Sequence, residues 1–244
     1  QPTEGGGGAP LAVITFYRAL VQSGQTEPVE ALIGALARRG LRVLPLFVSS
    51  LKEPVSAALI RDLFAAHGPD VVLNSTSFAV VSPGADKTGT VLDETGAQVF
   101  QVIFSASTLE AWQASSLGLS ARDLGMNVSL PEVDGRVLTR AVSFKRAARF
   151  DDRAEVNIVA PVPEPDRIDF VAELAARWAQ LRHRENRDKR VALIMANYPN
   201  RDGRLGNGVG LDTPAASLEV LKAMRDAGYV TGALPADGDA LITA

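Results

Sequence analysis

Apolar and polar positions along the chain fall into short blocks that switch between the strand and helix periods. LAVITFY at 11–17 is an apolar, partly β-branched run, and after a polar turn a helical pattern over 28–39 sets Val29, Leu32, Ile33 and Leu36 on one face before Gly40 ends it. A second strand pattern, LRVLPLFV, covers 41–48, and an amphipathic helix over 54–66 closes at Gly68. Strand patterns at 71–73 and 99–104 and a helix at 109–114 continue the alternation. Between 118 and 149 the rhythm breaks at a proline and an Asp-Gly turn, although VLTRAVSF at 137–144 alternates as a strand that returns to the same sheet.

Strands separated by helices of this length predict a parallel sheet covered on both faces, with right-handed crossovers. The fold class expected is α/β: a flavodoxin-like doubly wound parallel sheet, then a bridging helix and the start of a second α/β unit. The bridge is a long helix over 167–184, with Ile168, Val171, Leu174, Ala175, Trp178 and Leu181 at helical spacing. The second unit reads as a strand (VALIMANY, from 191), a loop, a helix over 214–227, Gly228 and a strand (YVTGAL). The expected organisation is a flexible Gly-rich tail at 1–9, an α/β domain at 10–150, a linker and bridging helix at 151–189, and an α/β domain beginning at 190–244. A helix starting at Asp237 or Gly238 has room for only about two turns, which predicts a piece of a longer polypeptide.

Composition removes several functions. The 244 residues carry 25 Lys and Arg against 28 Asp and Glu, a formal net charge of -3, so no basic field exists to hold a nucleic acid. The absence of cysteine excludes thiolate metal sites, disulfides and cysteine nucleophiles within these residues, and two isolated histidines offer little for a His-based site. No run approaches the ~20 apolar residues of a membrane span, and a charged-then-apolar leader pattern is lacking, so the expected setting is cytoplasmic.

The most unusual segment is NYPNRDGRLGNGVGLDTP, 197–214, at the carboxyl end of the strand expected from 191, where ligands bind in open α/β sheets. Gly203, Gly206, Gly208 and Gly210 permit positive φ, and Thr213 and Pro214 read as N-cap and first residue of the next helix. Arg201 and Arg204 offer charge-assisted bonds to carboxylates, and Asn197, Asn200 and Asn207 offer neutral donors and acceptors. The competing reading is a solvated surface loop. The spacing is not the G-x-G-x-x-G of a dinucleotide site, and Gly84-Ala-Asp-Lys87-Thr88 lacks the glycine before lysine that a phosphate loop needs.

Polar residues also stand at the carboxyl ends of earlier strands: Tyr17 and Arg18, Ser49 and Ser50, and Asn74-Ser75-Thr76-Ser77. They line a crevice in one reading and cap helices or face water in the preferred one. Glu132 and Asp134 read as the end of a strand at an Asp-Gly turn rather than as paired carboxylates. His67 reads as a helix C-terminal residue, His183 as part of a solvated charge run, and Trp112 and Trp178 as packing helices onto sheets. No catalytic residue and no metal ligand is expected in the chain.

Three stretches together, FYRALVQSGQTEPVEALIGALARRGLRVLPLFVSSLKEP, MNVSLPEVDGR and NYPNRDGRLGNGVGLDTPAAS, resemble the large, CobN-type subunits of aerobic cobaltochelatase and, more loosely, the porphyrin-binding large subunits of magnesium chelatase. The resemblance covers nearly everything after Pro10, and Gln22, Gln25, Thr26 and the VLPLFVSSLK run favour the cobalt branch. It implies an ATP-dependent ligase that inserts Co2+, as substrate, into hydrogenobyrinic acid a,c-diamide during cobalamin synthesis. ATP and Mg2+ would sit on two smaller AAA+-type partner subunits, and the chelating His and Glu residues outside this chain. The chain would then supply scaffold and one wall of the cleft, with Asn197, Asn200, Arg201, Arg204 and Asn207 nearest the substrate. Two further readings remain: an interaction module that docks the motor subunits or the rest of its own chain, and a two-lobed periplasmic-type small-molecule binder.

Overall fold

The computed structural model describes residues 8–82, 89–195, 206 and 210–243, with the side chains of Ala148 and Arg149 excepted. The chain divides into two compact units, 1–182 and 183–244.

In the first unit, β1 (Leu11–Tyr17), β2 (Arg42–Val48), β3 (Val71–Asn74), β4 (Gln98–Thr108), β5 (Val137–Asp151) and β6 (Val156–Pro163) form one sheet in the order β2-β1-β3-β4-β5-β6. The first five strands are parallel and β6 joins β5 antiparallel. This is the flavodoxin-like order with one antiparallel strand appended.

Strand alternation sorts the core into two layers. Ala12, Ile14 and Phe16 of β1, Val71 and Leu73 of β3, and Phe100 and Val102 of β4 face one layer, with Val29, Leu32 and Leu36 of α2 (Glu27–Arg38) packed onto them. Leu11 and Val13, Leu44 and Leu46, Val72 and Val99 face the other, under Ile60 and Phe64 of α3 (Pro54–His67). Strands this apolar on both faces need helices on both sides, because either face left open would leave a continuous apolar surface in water. Gly68 ends α3 at φ 57, with His67 in its last turn, the position a cation at a helix C-terminus favours.

The remaining helices of this unit are short, apart from the last. They are α1 (Arg18–Gln22), α4 (Leu109–Ala114), α5 (Ala121–Leu124), a π-helical turn (Gly125–Ser129), α6 (Leu130–Val133) and α7 (Pro165–His183). The helix expected as a bridge, α7, buries Ile168, Val171, Ala172, Ala175, Ala176 and Ala179 in the first unit's core beside α2. Trp178 packs edge-on against Phe100 at 5.8 Å, and Trp112 of α4 lies 5.1 Å from Phe144, so both indoles join helices to the sheet.

β6 is the strand that the sequence pattern missed. Pro161 and Pro163 made the segment read as a linker; prolines are tolerated there because β6 is an edge strand.

In the second unit α8 (Thr213–Asp226) and α9 (Gly238–Thr243) form as expected from the helix pattern. Asp212, not Thr213, is the N-cap, its carboxylate accepting from the Ala215 amide at 3.0 Å, which moves the cap one residue upstream. Residues 191–195 and 229–234 do not form the predicted strands. A strand exists through its ladder partners, and among the described residues of this unit no such ladder is present.

Candidate functional site

The strand order reverses at β1 and β3: the chain crosses from β1 outward to β2 on one side and builds β3 to β6 on the other. Loops leaving the carboxyl ends of β1 and β3 therefore part, and ligands of doubly wound sheets bind in the crevice so formed. Here the crevice lies beside Tyr17 at the end of β1 and Ser75, Thr76 and Ser77 after β3.

Two regions with different chemistry meet at this crest. The first is a buried polar latch. Asn74, fully buried, accepts from the Thr15 hydroxyl at 2.6 Å and the Thr76 hydroxyl at 2.9 Å, and donates to the Gln101 side-chain oxygen at 2.8 Å. Gln101, on β4, donates in turn to the Thr76 carbonyl at 3.0 Å. Arg136, at the head of β5, donates through Nη1 to that carbonyl and to Gln101, and through Nη2 to Asp134 at 2.6 Å. Asp134 closes the circuit by accepting from the Val80 and Val81 amides at 2.8 and 2.9 Å.

The Asp134–Arg136 pair is almost fully enclosed, with side-chain exposures of 0% and 2%. Burial pushes the Arg136 guanidinium below the ordinary arginine value, and the adjacent Asp134 carboxylate opposes that shift. Asp134 thus ends the one-turn helix α6 and clamps the 80–81 backbone, rather than ending a strand, while Glu132 is exposed. The Asn74–Ser77 cluster was expected to cap helices or face water. Asn74 and Thr76 do neither: Asn74 bonds across to Thr15 and Gln101, and the Thr76 hydroxyl turns back onto Asn74 inside the sheet's crest.

The second region is open. The Tyr17 hydroxyl accepts from the Ser77 amide at 3.1 Å and donates to the Ser77 carbonyl at 3.2 Å, forming a bar with a hollow on each side. One hollow, about 170 Å3, runs past Ser50, Lys52 and Phe78. The other, about 240 Å3, lies between Tyr17, Leu20 and Phe104 and the segment carrying Arg122, Met126 and Asn127. Phe78 holds φ 68, an uncommon value for a bulky residue, and its amide donates to the Met126 carbonyl within the π-helical turn.

Asp123, Asn127, Gln101 and Arg136 were not singled out from the sequence. A glutamine within the apolar run VFQVIF and the Ser120-x-x-Asp123 spacing were the available signals. The five residues assigned to substrate from the 197–214 loop, Asn197, Asn200, Arg201, Arg204 and Asn207, lie outside the described residues, as do Gly203 and Gly208. Gly206 and Gly210 of that loop hold φ 66 and 73, the left-handed region expected of them. Among the described residues no group of three His, Cys, Asp or Glu side chains is placed to hold a metal, and no helix is long and apolar enough to cross a membrane.

A flavodoxin-like sheet with a polar crest at its switch point defines a class of α/β protein that hosts many activities, and the fold alone selects none. Comparison with known proteins narrows it. Residues 3–244 match the family model described as CobN/Magnesium Chelatase, and the chain belongs to that family. It is 60% identical over 233 residues to the aerobic cobaltochelatase subunit CobN of a Sinorhizobium species and 43% identical over 235 residues to that of Pseudomonas aeruginosa. Against a magnesium-chelatase subunit of Chlorobaculum parvum the identity is 29% over 235 residues. The solved catalytic subunit of cobaltochelatase from Mycobacterium tuberculosis superposes with a TM-score of 0.78 at 36% identity, covering 100% of this chain. The chain covers 96% of its own length in the first two matches but only 18% and 19% of theirs, and 20% of the solved chain.

Proposed function

We propose that the chain is a section of the tetrapyrrole-binding large subunit of an aerobic cobaltochelatase. The whole enzyme would insert Co2+, as substrate, into hydrogenobyrinic acid a,c-diamide in the cytoplasm. ATP hydrolysis would be carried by two smaller AAA+-type subunits that hold ATP and Mg2+. The observation that carries this reading is the 60% identity over 96% of the chain to a cobaltochelatase subunit, against 29% to a magnesium-chelatase subunit.

Within that enzyme this section acts as scaffold and as one wall of the cleft. The described residues support the scaffold role, since the one carboxylate of the latch, Asp134, is engaged by the Val80 and Val81 amides and by Arg136 and is not presented to a substrate as a base. Stripping water from Co2+ and removing two pyrrole-type protons then falls to groups elsewhere in the subunit. On this reading Asn197, Asn200, Arg201, Arg204 and Asn207 supply the guanidinium and amide donors that match the peripheral carboxylates of the ring precursor.

The test is a titration of the full-length subunit with hydrogenobyrinic acid a,c-diamide, read by tetrapyrrole absorbance. Exchanging Arg201→Ala and Arg204→Ala together weakens binding by about tenfold or more, the loss expected for charge-assisted bonds. Unchanged affinity removes the loop from the site. Metallation of the ring by Mg2+ in place of Co2+ in the assembled complex overturns the cobalt assignment.

A further inference from the structure

The larger hollow at the switch point has a donor and acceptor balance unlike the latch beside it. Asp123, fully buried behind it, is saturated: its carboxylate accepts from the Ser105 hydroxyl at 2.7 Å, the Asn127 amide at 3.0 Å, the Ala106 backbone amide at 3.2 Å and the Ser120 hydroxyl at 3.3 Å. It has no capacity left for a cation. Asn127 is oriented from both ends, its oxygen accepting from the Ser77 hydroxyl at 2.6 Å and its nitrogen donating to Asp123. An amide nitrogen carries two hydrogens, and among the described residues only one is used. Arg122 lines the same hollow and is exposed, and its side chain makes no hydrogen bond or ion pair among the described residues. The free groups are thus donors, one of them a permanent cation, while Leu20, Phe104 and Met126 supply apolar wall. The segment that carries Met126 and Asn127 is a π-helical turn, a rare backbone form frequently found at functional sites.

From this balance we propose that the hollow between Tyr17 and the π-helical turn binds a small aliphatic carboxylate. Its head accepts from the Arg122 guanidinium and the second Asn127 amide hydrogen, and its short hydrocarbon chain rests on Phe104 and Met126. At about 240 Å3 the space falls below the ~300–1,000 Å3 of ordinary small-molecule pockets, so the occupant is a compact acid rather than a macrocycle. A phosphate would match the donors but leave the apolar wall unused. The site is independent of which ring the whole enzyme metallates.

The Met126 methyl group is a direct reporter. In the full-length subunit labelled with ε-13C methionine, its NMR signal is assigned by its disappearance in Met126→Leu. Titration with butyrate produces a saturable shift of that signal in the millimolar range. Arg122→Gln, an exposed change that removes the charge and the guanidinium fork, weakens it about tenfold. The proposal is overturned by no saturable shift, by equal binding in Arg122→Gln, or by equal responses to butyramide or inorganic phosphate. Since ring titration does not enter the readout, failure here leaves the chelatase reading untouched, and the reverse also holds.

Discussion

The latch and the hollow lie side by side on one crest, share Thr76–Ser77 as their border, and use polar groups in opposite ways. In the latch, Asn74, Gln101, Arg136 and Asp134 are buried and bonded to one another across β3, β4 and the head of β5, with only the Arg136 Nε left without a partner among the described residues. In the hollow, Asp123 is matched in the same manner, but Arg122 and one Asn127 hydrogen are left over. The difference teaches that burial of polar side chains marks structure here, and that surplus donors beside an apolar wall mark the place for a ligand.

The comparison breaks most readily at Asp134. Asp134→Ala leaves the Arg136 charge enclosed and unpaired, and denaturant unfolding should show a loss of about 3–5 kcal/mol; a loss below 1 kcal/mol would mean that water already reaches the pair. Gln101→Leu comes next. It strips an acceptor from Asn74 and Arg136 while keeping an apolar residue on β4, for a loss of about 1–3 kcal/mol by the same measurement. Tyr17→Phe, on the border, removes the two bonds to Ser77 at a cost of about 1 kcal/mol. Arg122→Gln should be smallest, within about 0.5 kcal/mol in thermal or denaturant unfolding, because its side chain supports nothing in the fold. A large loss there would make Arg122 part of the scaffold and erase the contrast.

Much of the sheet was legible because its strands are apolar on both faces and because Gly40 and Gly68 close α2 and α3; β1 and α4 occupy 11–17 and 109–114, as their patterns predicted. What was hidden is what periodicity does not encode. Pro161 and Pro163 disguised β6, since a strand at an edge can forgo amide donors that a central strand cannot. The apolar runs at 191–195 and 229–234 carry strand pattern without forming strands, because pairing is a property of partners, not of the segment. The latch was out of reach for a related reason: Asn74, Gln101 and Arg136 are separated by 27 and 35 residues in the chain and meet only once β3, β4 and β5 are registered. Asp134 stands out in its Asp-Gly pair, but its partner lies two residues away in a position that reads as turn.

Both outer strands of the sheet carry proline, Pro45 in β2 and Pro161 and Pro163 in β6. Each withholds a main-chain donor along the rows where a stray polypeptide would otherwise zip on. A border whose donor row is interrupted cannot be lengthened strand by strand, so these imino acids keep the layer from recruiting a neighbouring copy of itself by mistake.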